Sequence, residues 1–209
     1  MIALLLDRGA DPTIESRGAG SAVAMAARRG RGDALALFEQ RGFAATLPGV
    51  ARLIAACARN DDAAIAASDP ALIREVLAQG GALLAEFAAN GNMEGVARLL
   101  DLGVNIAALH EQGDMYFDVA KNSTALHAAA WRAQHGTVKY LINRGAPVDA
   151  LDGKGRSALA LAVKACVDSY WTHRRSPESV EALLNAGASR AGVAFPSGYA
   201  EGDALLGAR

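Results

Sequence analysis

The chain repeats itself. Thr124-Ala125-Leu126-His127-Ala128-Ala129-Ala130 and Ser157-Ala158-Leu159-Ala160-Leu161-Ala162 are two versions of one opening, thirty-three residues apart. Between them, Val138-Lys139-Tyr140-Leu141-Ile142 leads into Asn143-Arg144-Gly145-Ala146. The Gly-Ala step returns as Gly9-Ala10-Asp11 and Gly187-Ala188-Ser189, and Gly9 stands thirty-three residues before Gly42. A period of this length means that each unit is one small supersecondary element. Such a unit cannot bury its apolar side alone, so neighbours must stack. A stacked array presents a surface, which favours binding over catalysis as its mode of action.

Composition agrees with close-packed helices. Apolar residues make up 52% of the chain but aromatics only 5%, and Ala and Leu dominate the apolar share. The net charge of −1 gives no global drive toward nucleic acid or acidic membranes. No apolar run approaches the roughly eighteen residues of a membrane-spanning helix. Met1-Ile2-Ala3-Leu4-Leu5-Leu6 lacks a basic leader and meets Asp7-Arg8 at once, so it does not read as a signal peptide. Cys57 and Cys166 lie far apart in apolar stretches, and we expect two buried thiols in a reducing, cytoplasmic setting.

A pass along the chain divides it into one domain, 1–209. Residues 1–8 read as the last turns of a unit's second helix, so the chain is expected to open partway through a repeat. The unit 9–42 has its opening at Ser21-Ala22-Val23-Ala24-Met25-Ala26, a turn glycine at Gly30 and a second helix over 33–40. Residues 43–80 form a degenerate unit: an inner helix over 50–60, a stub over 63–67, and a helix over 71–79 that Gly80-Gly81 closes. The unit 81–103 has helices over 82–89 and 93–102. The unit 104–145 carries a nine-residue surplus in its hairpin, around 110–118, and is the best match to the repeat. The unit 146–187 carries a second nine-residue surplus between its two helices, around 166–175. Ser176-Pro177-Glu178 then restarts a helix with an N-cap, a first-turn Pro and an early acid. Residues 188–209, with a helix over 199–206, make a C-terminal cap.

This pattern resembles the ankyrin-repeat family, whose units open Thr-Pro-Leu-His-x-Ala on a thirty-three-residue period. The resemblance is strong at 82–105 and 124–163, moderate at 4–42 and 176–189, and weak at 43–80. Gly103-Val104-Asn105 is similar to the family's hairpin loop in shortened form. The Tyr116-Phe117 hairpin and the Ser169-Tyr170-Trp171-Thr172 insertion also resemble a group of Ala- and Arg-rich bacterial ankyrin-repeat proteins. The family implies an all-α solenoid of helix pairs with projecting hairpins, which binds other proteins on its concave face. It implies structural roles for Thr124, His127, Gly145, Asp149, Asp152, Gly155 and Gly187.

Other chemistry finds little support. His110, His127, His135 and His173 lack zinc-site spacing with one another or with a cysteine. Cys166 and His173 could share a helix face, but Cys166 falls on an apolar inner-helix stripe. Gly153-Lys154-Gly155-Arg156-Ser157-Ala158 mimics a dinucleotide fingerprint, which requires a βαβ unit; a hairpin tip accounts for it. The acids Glu111, Asp114 and Asp118 do not have EF-hand spacing. No catalytic residue, metal or cofactor is expected.

Three functions are weighed: a protein-binding scaffold, a stabilising segment of a longer protein, and a small-molecule binder or enzyme built at the two insertions. The scaffold is favoured, with another protein as partner and neither nucleic acid nor membrane. Interfaces concentrate energy in Tyr, Trp and Arg. The candidate contact residues are therefore Tyr116, Phe117, Trp131, Arg132, Tyr170, Trp171, Arg174 and Arg175. Sealing of the longer loops onto the stack is the competing role for these rings. An uncapped N-terminal end would expose an apolar helix side and invite self-association.

Overall fold

A computed structural model describes residues 1–18, 20–43, 46–115, 118–169 and 171–207. The fold is an all-α stack of helix pairs. In chain order the helices are α1 (Ile2–Asp7), α2 (Ala22–Arg28), α3 (Gly32–Gln40), α4 (Gly49–Arg59), α5 (Asp62–Ala66), α6 (Pro70–Ala78) and α7 (Gly80–Ala89). They continue as α8 (Met93–Asp101), α9 (Ala125–Trp131), α10 (His135–Asn143), α11 (Ala158–Asp168), α12 (Glu178–Asn185) and α13 (Ala200–Gly207). Extended pairing among the described residues is limited to isolated bridges, such as His110 with Ser123 and Leu151 with Ser157.

The openings of the units are helix N-caps. Ser21, Thr124 and Ser157 take extended backbone and accept a hydrogen bond from the amide three residues on, which satisfies a donor that the helix leaves orphaned. Thr124 goes further. His127 Nδ1 accepts from the Thr124 amide at 3.1 Å, while its Nε2 faces the carbonyls of Ala150 at 2.9 Å and Arg156 at 3.0 Å. Because Nδ1 accepts, Nε2 carries the proton and donates into the next hairpin. One side chain thus closes a capping box and ties two units together.

Apolar stripes then bury the stack. Inner helix α9 packs on α7 and α11, while α10 packs on α9 and α12. Leu84, Leu99, Val138, Leu141, Leu159, Val180 and Leu183 are fully buried between them. The N-terminal part is arranged differently. Helix α4 packs on α2, α3, α5, α6 and α8, and α1 buries no residue completely.

Two glycines depart from the sequence reading. Gly80 and Gly81 were expected to close the helix over 71–79, but they open α7, with Gln79 serving as the joint between α6 and α7. Their role is close approach. A Cβ on Gly81 would lie 2.1 Å from the Leu109 carbonyl oxygen, and one on Gly80 would lie 2.8 Å from a Val104 methyl. The sequence shows a glycine pair between helices; only the fold shows which chain passes over it.

Candidate partner-binding surface

The hairpins form one edge of the candidate surface. The long hairpin is pinned at its base by the amide of His110 donating to the Ser123 carbonyl at 2.8 Å, and farther out by reciprocal bonds between Asp114 and Val119 at 2.9 Å. Val119 packs with Ala85 and Ala89 of α7 and Ala128 of α9. The hairpin therefore lies back on the inner helices instead of projecting freely. Arg29, at the end of α2, pairs with Asp114 at 2.8 Å and holds it from the other side.

This fold-back corrects the expected contact surface. All of α9 is buried, and so are Leu83 to Ala89 of α7. In the middle of the stack the inner helices cannot offer side chains to a partner. The surface there belongs to the hairpins, where Met115 is fully exposed and Leu151 is 59% exposed. Neither was singled out in the sequence. Met115 stands beside the Tyr116-Phe117 pair, and an apolar residue there was an available signal. Tyr116 and Phe117 themselves, like Tyr170, lie outside the described residues.

Beneath the hairpin sits a group of charged and polar side chains. Glu86 is 2% exposed and pairs with Arg28 at 3.0 Å. Burial pushes its carboxyl above the usual range, and the arginines only partly offset this. His110 is buried with both ring nitrogens lacking a hydrogen-bond partner, and burial holds its pKa below the ordinary value. Burial does the same to His127. Neither histidine is poised to carry a proton at neutral pH.

The second edge runs along the turns between paired helices, which are linked by a ladder of side chains donating to carbonyls. Gln134 and Arg132 donate to Ala89 O at 3.0 and 3.3 Å. Asn90 donates to Arg29 O at 2.9 Å, and Asn92 to Gly30 O and Ala58 O at 2.7 and 2.8 Å. The insertion after α11 extends the ladder. Trp171 Nε1 donates to Trp131 O at 3.2 Å, its ring meets Trp131 edge-on at 5.8 Å, and the Arg132 guanidinium lies 4.0 Å over it.

Among the aromatic candidates the roles divide. Trp131 is 4% exposed, with Lys164 over its ring, so it supports Trp171 and offers no face of its own. Trp171, Arg132 and Arg174 are half-buried and Arg175 is exposed. His135, not singled out as a contact, anchors the insertion by reaching Ser179 Oγ at 2.7 Å and Arg174 O at 2.9 Å.

The repeat-motif residues sit where hairpins meet helices. Asp152 accepts the amides of Lys154 and Arg156 and pairs with the Arg156 side chain at 2.8 Å. Burial raises its carboxyl, but these bonds outweigh that and leave it low. Asp149 accepts the Ser189 amide at 2.7 Å, tying successive hairpins. Gly145 and Gly187 follow α10 and α12 with φ of +83° each, and Gly155 has +71° at its hairpin tip. Among the described residues no group of three ligating side chains could hold a metal.

A family model for ankyrin repeats, in three copies, matches residues 84–190. The chain belongs to the ankyrin-repeat family. The matched span starts within α7 and ends just after α12, so it covers the region of the regular helix pairs α7–α8, α9–α10 and α11–α12. A comparison with curated proteins finds no match. Ankyrin repeats are in general protein–protein interaction modules, and the family is typically a non-enzymatic scaffold. No helix among the described residues is long and apolar enough to cross a membrane.

Proposed function

We propose that this protein is an interaction scaffold that holds another protein along its hairpin tips and helix turns, on the concave side that the family uses. The observation that carries this reading is Trp171. Its indole is half-buried, fixed by a carbonyl on one side and a guanidinium on its face, and bordered by Arg132, Arg174 and Arg175. A pre-set indole with an arginine rim is the make-up of an interface anchor, because little side-chain entropy is left to lose on binding. Met115 and Leu151 add exposed apolar contacts at neighbouring hairpins, and Tyr116, Phe117 and Tyr170 belong to the same segments. The buried thiols of Cys57 and Cys166 suit a cytoplasmic setting; burial pushes the Cys57 thiol up to about 11.

Crosslinking mass spectrometry from native lysate names the partner, and variants then test the surface. Trp171→Ala and Arg175→Glu are expected to weaken capture of that partner while leaving most of the thermal stability in place. If capture falls only in step with the folded fraction, these side chains are sealing the insertion and the surface lies elsewhere.

A further inference from the structure

The chain holds two tryptophans, Trp131 and Trp171, which meet edge-on with ring centroids 5.8 Å apart. Three cations gather on this pair. The Arg132 guanidinium lies 4.0 Å over the Trp171 ring, and the Lys164 ammonium lies 5.0 Å over Trp131. Arg174 donates to the Arg132 carbonyl at 3.5 Å. All three residues are half-buried, so solvent screens their mutual repulsion less than it would at an open surface.

The supply of counter-charge differs along the stack. Toward the N-terminal end the arginines of the turns are matched by acids: Arg28 by Glu86 at 3.0 Å, Arg29 by Asp114 at 2.8 Å, Arg31 by Asp33 at 2.6 Å, and Arg59 by Glu39. Around the tryptophans this matching stops. Lys164 and Arg174 form no ion pair with a described residue. Asp168 follows Lys164 by one turn of α11, but it is exposed and beyond ion-pair distance. Glu178, at the start of α12, is engaged by Lys139 at 2.7 Å. Cations set against indoles without an acid of their own form a site whose counter-charge comes from outside.

Arg132 and Arg174 also line a groove of about 840 Å³ that follows the turns between paired helices. Asn90, Asn92 and Gln134 line it too, and their amide nitrogens all donate to backbone carbonyls. This lining is fixed before binding, so little entropy is left to lose to a ligand. Elsewhere in the groove the charges offset one another, since Asp33 holds Arg31 and Glu94 adds a further acid. Unmatched positive charge is thus confined to the tryptophan end, too short a stripe for a polynucleotide backbone.

We propose that the partner held at this surface presents an acidic segment, laid along the turn groove with its carboxylates at Lys164, Arg132 and Arg174 beside the two indoles. The proposal rests on the partner-binding reading above and adds the chemistry of what is bound. Hydrogen bonds between carboxylates and cations are the stronger class, and here the donors are already in place.

Because both tryptophans lie in the site, intrinsic fluorescence reads it directly. The probe is an N-acetylated peptide of alternating glutamate and serine, titrated into the intact protein, with its glutamine counterpart as control. The glutamate peptide is expected to shift tryptophan emission saturably, with a Kd below about a millimolar, and to bind several-fold more weakly as salt rises. Lys164→Gln and Arg174→Gln are each expected to weaken it at least about five-fold with melting unchanged. Arg52→Gln, at an exposed arginine of α4, removes the same charge and leaves the affinity in place. No saturable shift at millimolar peptide, equal binding of the glutamine peptide, or an equal loss in Arg52→Gln overturns the proposal. Tighter binding of oligothymidylate than of the glutamate peptide also overturns it, because the occupant would then be a nucleic acid. Capture of the crosslinked partner that is lost in Trp171→Ala yet unchanged in Lys164→Gln and Arg174→Gln refutes the acidic chemistry alone. Peptide binding as expected, with capture indifferent to Trp171→Ala, refutes the partner surface and leaves the acid-binding site standing.

Discussion

The helices α7–α12 and the helices α1–α6 are two solutions to the same packing problem. In the first region each inner helix receives its neighbour on an Ala-rich stripe, each turn donates to the carbonyls of the turn before, and Thr124 and His127 fasten a helix start to the next hairpin. In the second, α4 packs beside both α3 and α8, a short α5 intervenes, and α1 has no completely buried residue. The difference teaches that period alone does not make a repeat cooperative; the linking side chains do. Where Thr and His are replaced by Ser21 and Ala24, the cap survives and the link to the next hairpin is lost.

Removing core volume gives the largest contrast. Leu126, 1% exposed in α9, should lose about 3 kcal/mol on change to Ala. Leu5→Ala in α1, at a half-exposed position, should cost less than about 1 kcal/mol. Urea denaturation of both variants checks this, and equal losses would break the comparison.

The caps come next. Thr124→Ala removes a buried hydroxyl from a closed capping box and should cost about 2 kcal/mol. Ser21→Ala removes one part-buried bond and should cost about 1 kcal/mol. If Ser21→Ala proves the costlier, the N-terminal pair is held more tightly than its contacts indicate.

Much of this contrast is legible in the sequence, and the reason is local. The N-caps, the turn at Gly30 and the helix over 33–40 follow from short-range rules, and the full Thr124–His127 pair stands at α9, in the middle of the regular stack. The fold-back of the long hairpin is not legible. It depends on Val119 meeting Ala85, Ala89 and Ala128, and on Arg29 meeting Asp114 eighty-five positions away. Trp131 was misread as a contact because its exposure is decided by Trp171, forty residues later. Aromatic residues near insertions mark both anchors and seals, and only burial separates them.

Acid sharpens the comparison by a smaller amount. His110 and His127 have folded-state pKa values below the ordinary 6.5. In the window beneath that value the unfolded chain binds more protons than the folded one, so stability is present above it and lost as pH falls through it. The melting temperature should drop as pH falls to 6.5 and below, and His110→Leu should flatten that limb. Glu86, whose pKa is raised above 4.5, acts with the opposite sign at lower pH, where its neutral form favours the folded state. A melting curve indifferent to pH through this range would remove the buried histidines from the account.

Native-state amide hydrogen exchange tests the central claim most directly, because it reports opening free energies segment by segment. The account predicts that amides in α7, α9 and α11 exchange only through global unfolding, while those of α1 to α3 exchange through separate openings of lower free energy. Uniform protection from α1 to α12, with one opening free energy for all, would contradict it.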